Sequence, residues 1–150
     1  MFSKSCHYGL QAMLYIGLQY QKDTNVELNE IAVQQEIPKH FLSKILQLLV
    51  KHKLLCSMKG PTGGFRLPCP PEEIRLIEIV DAIDGLDIFD QCGIGLKRCT
   101  DEDPCPIHYE YKRIRERVRK VFESKTLVDL TEEVSNGGGI INLEKPDEPT

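Results

Sequence analysis

LLCSMKGPTGGFRLP, residues 54–68, sets two short strand-like runs around Gly60-Pro61-Thr62-Gly63-Gly64, a turn of residues that accept unusual backbone dihedrals. Lys59 and Arg66 bracket that turn, so the hairpin carries a basic tip. What precedes it decides its meaning. Residues 28–35 put Leu28, Ile31 and Ala32 on one face of a short helix that ends before Ile37-Pro38. Pro38 suits the first position of a following helix, where its missing N–H would be unpaired in any case. In that helix Phe41, Leu42, Ile45, Leu46, Leu48 and Leu49 form a wide apolar face, with Lys39, His40, Ser43, Lys44, Gln47 and Lys51 opposite. Two short helices with a tight connection, followed at once by a basic-tipped hairpin, predict a winged helix-turn-helix.

Outward from this unit, Leu10, Met13, Leu14, Ile16 and Leu18 recur at helical spacing and predict a first helix over residues 8–21. Downstream, PCPPEE at 68–73 breaks the chain. Leu76, Ile77, Ile79, Val80, Ile83 and Leu86 then trace a fourth helix that ends near residues 85–90. A Gly- and Pro-containing loop follows, and residues 107–124 form a long polar helix with Tyr111, Ile114, Val118, Val121 and Phe122 in a single stripe. So narrow a stripe on a small chain predicts a dimer helix packed against its twin, with packing on its own domain as the alternative. Residues 126–134 are expected to add a short helical turn, and SNGGGIINLEKPDEPT reads as a disordered tail.

The predicted architecture is mostly α with a small β-hairpin wing. Residues 1–75 form a winged helix-turn-helix DNA-binding domain. Residues 76–130 supply a linker helix, a Cys loop (90–108) and a dimerisation helix, and 131–150 a disordered tail.

Composition agrees with a cytoplasmic DNA-binding protein. No stretch approaches a membrane span, and MFSKSCHYGL lacks the features of a signal peptide. The net charge of −4 conceals an asymmetry: residues 1–70 carry 8 basic and 4 acidic side chains, whereas 71–150 carry 11 and 19. A locally positive surface can attract phosphates on a chain acidic overall.

In the loop, CGIGLKRCTDEDPCPIH at 92–108 collects Cys92, Cys99, Cys105 and His108, with six, five and two residues between successive members. Thiolates and imidazole bind both Zn(II) and iron–sulphur clusters. Structural zinc sites ordinarily include a close Cys pair, whereas only Cys105 and His108 are that near. A flexible loop can reach round a larger cluster, and spacing alone leaves both metals open. Cys6, Cys56 and Cys69 lie apart and are expected to pack as small apolar residues. His52 is expected to face solvent with no special role.

The whole order, with HYGLQAMLYI, KGPTGGFRL, IRLIEIVDAIDG and the spaced cysteines followed by His, resembles the Rrf2 family of bacterial winged-helix regulators from Met1 to about Val134. That resemblance implies a homodimer with crossed long helices and a cluster at each end that tunes which double-stranded operators are bound. It matches Cys92, Cys99 and Cys105 to the family's cluster cysteines and His108 to the histidine of its iron–sulphur assembly branch, implying a 2Fe–2S site, with 4Fe–4S or zinc as alternatives. The first gap is one residue longer than in that branch. His7 stands where other branches supply a ligand from the partner subunit, but His108 closes the site with less loop entropy.

On DNA, Ser43 and Gln47 are placed to read bases, with His40 also facing the groove, while Lys39, Lys44, Lys59 and Arg66 position the protein on phosphates, with Thr62 at the wing tip. Rival readings are a zinc-stabilised or metal-free repressor of the same fold governed by a protein partner, and a small redox or electron-transfer protein. Catalysis is poorly supported: there is no Cys-x-x-Cys, nucleophile–base pair or phosphate loop, and Gly93-Ile94-Gly95 lacks the third glycine of a dinucleotide site.

Overall fold

Residues 1–21 and 23–138 are described by a computed structural model. Its helices are α1 (Lys4–Leu18), α2 (Leu28–Gln34), α3 (Lys39–Lys51), α4 (Leu76–Asp84), α5 (His108–Ser124) and α6 (Leu127–Ser135), with strands β1 (Cys56–Met58) and β2 (Gly64–Arg66). None of these helices is long and apolar enough to cross a membrane. The fold is the expected winged helix-turn-helix with a mostly helical remainder.

The turn between α2 and α3 is set by how α2 ends. Glu36 takes a left-handed φ of 54°, so its N–H reaches the Val33 carbonyl at 3.3 Å and the Ile37 N–H reaches that of Ala32 at 3.0 Å. This pairing satisfies carbonyls that a helix end leaves open, and it drives Ile37 into the core. α3 ends the same way: Lys53 has φ 62°, its N–H meets Val50 O at 3.0 Å, and Leu54 N–H meets Leu49 O at 2.9 Å. Pro38 stands one place earlier than the sequence predicts. It precedes α3 as the N-cap residue, and Lys39 opens the helix.

The wing pairs Cys56, Ser57 and Met58 with Arg66, Phe65 and Gly64 in an antiparallel register. Phe65 also exchanges two backbone bonds with Val26, at 2.7 and 2.8 Å, which staples the hairpin to the segment before α2. Only glycine fits beside this staple. Gly64 has φ +141°, and a Cβ there would lie 2.4 Å from the Val26 carbonyl oxygen.

One apolar core runs through α1, α2, α3, the wing, α4 and α6, and includes Met13, Ile31, Leu42, Leu46, Leu49, Ile79 and Leu127. Each such side chain contributes about 1.5–3 kcal/mol by leaving water. The core therefore continues past residue 75 into α4 and α6. A smaller second core joins Cys6, Val80, Ile88 and Phe89, against which Phe2, Val118 and Phe122 pack.

Several elements depart from the sequence reading. α1 begins at Lys4 because Ser3 Oγ accepts the Cys6 N–H at 3.0 Å and caps it. Phe41, assigned above to the buried face of α3, is 49% exposed and stacks on His40 with ring centroids 4.1 Å apart. Where a single turn was expected over 126–134, α6 runs for nine residues, Leu127–Ser135. It starts with a capping box in which Thr126 N–H donates to Asp129 at 2.8 Å and Asp129 N–H to Thr126 Oγ1 at 3.3 Å. Residues 131–135, read as the start of the tail, belong to α6, and the tail from 139 onward lies outside the described residues.

Candidate metal centre and nucleic-acid interface

The loop between residues 90 and 107 is held from two sides. Arg115, on α5 and 7% exposed, donates from Nη1 to the Gln91 carbonyl at 2.6 Å, directly before Cys92. Gly93 lies so close over the Tyr111 ring that a Cβ would come within 2.7 Å of it. A turn then closes as the Gly95 N–H meets Cys92 O at 3.0 Å. A second turn closes between Thr100 and Asp103, with the Asp103 N–H donating to Thr100 Oγ1 at 3.1 Å.

These restraints gather the expected sulphurs. The Sγ atoms of Cys92, Cys99 and Cys105 lie within 4.8 Å of one another, and Cys92 and Cys105 are 3.7 Å apart. His108, the first residue of α5 and buried, places Nδ1 3.1 Å from Cys99 Sγ. A cavity of about 500 Å³ opens beside the set, with Cys92 and Cys99 on its wall.

Electrostatics set Cys92 apart from Cys99, Cys6 and Cys69. Backbone N–H groups of Ile94 and Leu96 and the thiols of Cys105 and Cys99 draw Cys92 down to about 7 against the opposing effect of desolvation. At Cys99 the Cys105 N–H pulls downward, but desolvation and the two neighbouring thiols leave it raised on balance. Burial, aided by Asp84, pushes Cys6 up to about 12, so that thiol is an inert core group. Cys69 is raised by burial and by Glu73.

The donor set is compatible with both metals weighed above. Four ligands at about 2.3 Å round one tetrahedral zinc stand about 3.8 Å apart, and the 3.7 Å Cys92–Cys105 separation matches. The wider sulphur separations and the adjoining cavity also admit a larger iron–sulphur unit. The mutually close ligand atoms are the three sulphurs alone, and His108 joins them through Cys99; His7 is exposed on α1, its ring edge-on to Phe2 at 6.2 Å, and lies outside that group.

Two polar partners of the centre escaped the sequence reading. Asp101 Oδ1 lies 2.7 Å from His108 Nε2, and Lys112 Nζ meets both Asp101 carboxylate oxygens at 3.1 and 2.9 Å. Hydrogen bonds from His108 and from Lys112 hold the Asp101 carboxyl below its ordinary range. Arg115 is the other. The available signal was the spacing of His108, Lys112 and Arg115 at i, i+4 and i+7, one helical stripe that turns toward the loop.

The dimer stripe divides. Ile114 and Val121 are 56% and 51% exposed. Tyr111 lies beneath Gly93, while Val118 and Phe122 pack on the chain's own second core, Phe122 with its ring 4.8 Å from Phe2. Packing against the same chain thus takes part of a stripe read as facing a twin.

On the helix-turn-helix face, Lys39, His40, Lys44 and Gln47 are exposed and Ser43 is half-buried. Lys59 and Thr62 are exposed on the wing, and the Thr62 carbonyl accepts from Asn25 Nδ2 at 3.0 Å. Arg66, half-buried, sits 3.7 Å from Asp23, so part of its charge is already answered within the chain.

Comparison with known proteins gives a family match over residues 2–133 to the model described as "Rrf2: Iron-dependent Transcriptional regulator". The Aquifex aeolicus (strain VF5) protein named "Putative HTH-type transcriptional regulator" is 30% identical over 132 residues, covering 87% of this chain and 90% of the relative. The HTH-type transcriptional regulator IscR of Sodalis glossinidius is 29% identical over 123 residues, covering 82% of this chain and 73% of its own. Among solved structures, CymR, the global cysteine regulator of B. subtilis, superimposes with a TM-score of 0.71 at 26% identity, covering 88% of this chain and 96% of that one. These relatives are regulators of transcription, not enzymes.

Proposed function

The chain belongs to the Rrf2 family of iron-dependent transcriptional regulators, and on that premise we propose that it is a homodimeric, cytoplasmic regulator whose grip on operator DNA is governed by an iron–sulphur cluster on Cys92, Cys99, Cys105 and His108. The observation that carries this reading is the convergence of the three thiols within 4.8 Å of one another, with His108 Nδ1 3.1 Å from Cys99. When bound, a cluster supplies oxidisable iron and labile sulphide, so its loss reports oxygen, nitric oxide or iron shortage.

The chain's own residues link that site to DNA. His108 opens α5, so gathering the donors fixes residues 90–108 against that helix, where Ile107 at the N-cap, Ile114 and Val121 recur every seven residues as an exposed apolar stripe. Such a repeat suits a two-helix seam. Ordering the loop biases how α5 sits against its twin, and hence the spacing of the two reading heads. In each head Ser43, Gln47 and His40 read base edges, while Lys39, Lys44, Lys59 and Arg66 contact phosphates and Thr62 approaches the backbone. His7, exposed on α1, is free to approach a partner subunit's centre.

A second reading, a zinc-stabilised regulator of the same fold, is favoured by the 3.7 Å Cys92–Cys105 spacing. One experiment separates the two. Anaerobically purified protein should be coloured and contain iron and sulphide, and Cys99→Ala should lose that colour while remaining a folded dimer. Colourless protein holding one zinc per chain supports the second reading, and colour retained by Cys99→Ala overturns the ligand assignment.

A further inference from the structure

Beyond the donors themselves, the chain contains a carboxylate aimed at the far side of the histidine. Asp101 Oδ1 is 2.7 Å from His108 Nε2, the ring nitrogen turned away from Cys99. Asp101 is anchored at both ends. Its backbone carbonyl accepts the Tyr109 hydroxyl at 2.8 Å, and its carboxylate takes both contacts of the Lys112 ammonium. His108 and Lys112 lie four residues apart on α5, so one helical face offers Asp101 a ring N–H and a cation together. The Thr100–Asp103 turn brings the loop up to that face.

A neutral imidazole has one N–H and one lone pair, and the partner of one nitrogen decides which atom can bind metal. A carboxylate cannot donate, so Nε2 must carry the proton in the 2.7 Å contact. The lone pair is then left on Nδ1, which faces the thiols. Carboxylates in this position fix the ring's tautomer and orientation and raise its basicity as a ligand.

We propose that Asp101, braced by Lys112 and Tyr109, is the positioning residue of the metal centre, committing His108 to bind through Nδ1. This inference rests on the metal-binding reading above. Arg115 has a different task, holding the loop backbone at Gln91 rather than any donor.

The test uses the full chain, prepared anaerobically without metal and titrated with Co(II), whose ligand-field and thiolate charge-transfer bands report the coordination sphere. Wild type, Asp101→Asn and Asp101→Ala are compared, with far-ultraviolet circular dichroism as the check on folding; the side chain is largely exposed, so both variants should fold. Asn keeps an acceptor for the ring N–H but loses the charge, whereas Ala loses both. Co(II) affinity should therefore fall in the order wild type, Asn, Ala, with a total loss of about 10- to 100-fold. The band pattern of Asp101→Asn should remain that of three thiolates and one imidazole.

A second measurement does not depend on affinity. In wild-type protein loaded with cadmium-113 and labelled with nitrogen-15 at histidine, scalar coupling should appear on Nδ1 of His108, with Nε2 retaining its proton. Coupling on Nε2, or folded variants matching wild-type Co(II) affinity within about twofold, overturns the role of Asp101 alone. Wild type that takes up no Co(II) with thiolate bands overturns the metal reading and this inference together.

Discussion

Replacing Gly64 with Ala should detach the wing from the body of the domain. The new Cβ would lie 2.4 Å from the Val26 carbonyl oxygen and 2.7 Å from its carbon, both backbone atoms that no rotamer change can move. Relief requires opening the two Val26–Phe65 backbone bonds of 2.7 and 2.8 Å. Each contributes about 1 kcal/mol net, and forcing alanine to the φ of +141° adds about 1–2 kcal/mol of backbone strain. The sum is a loss of about 3–4 kcal/mol. For a chain of this size, roughly 3 °C per kcal/mol makes that a fall of about 10 °C in Tm. Gly60→Ala is the control: φ is +107° but nothing lies within 4 Å of the new Cβ, so only strain of about 1–2 kcal/mol applies. Paired thermal melts followed by circular dichroism measure the difference. A Gly64→Ala protein melting within 2–3 °C of Gly60→Ala would refute the staple between the wing and residue 26.

Lys53→Gly should raise stability by about 0.5–1 kcal/mol, because glycine adopts the left-handed φ that lysine holds at a cost, and denaturant titration will show it as a higher midpoint at unchanged slope. Lys59→Ala should weaken binding to all DNA sequences alike and reduce the salt slope of log K by about 1, measured by salt-titrated fluorescence anisotropy. Asp129→Asn should lower Tm at neutral pH. The Thr126 N–H and hydroxyl hold the Asp129 carboxyl below its ordinary value of 3.8, so its stabilising effect is present above that pH and is lost as pH falls through the depressed folded value. The Tm difference between variant and wild type should therefore shrink in acid.

The sequence made some features legible and hid others for physical reasons. The wing could be read because Gly60, Gly63 and Gly64 answer a local steric demand. α3 could be read because Leu42, Ile45, Leu46 and Leu49 keep the helical period. Phe41 could not be assigned by type, since hydrophobicity says nothing about which face of α3 a residue takes when the apolar arc is broad. The length of α6 was understated although Thr126-Leu127-Val128-Asp129 carries a capping-box pattern, and its docking on α1 at Gly17 is a contact across the whole chain. The convergence of Cys92, Cys99 and Cys105, with His108 beside Cys99, could be expected because their chemistry is uncommon. Asp101 was hidden inside Asp101-Glu102-Asp103, which reads as a solvated acidic run, and Arg115 among the basic residues of α5. The partial turning of the α5 stripe inward depended on Phe2 and Phe89, residues far away in sequence.

The central claim is that these thiols gather iron and sulphide rather than a single ion. A Mössbauer spectrum of protein enriched in iron-57 and purified without oxygen, with iron and acid-labile sulphide assayed on the same sample, tests it most directly. Antiferromagnetically coupled ferric pairs with equal iron and sulphide are the expected result. Protein that takes up zinc alone, or no metal, under those conditions would contradict it.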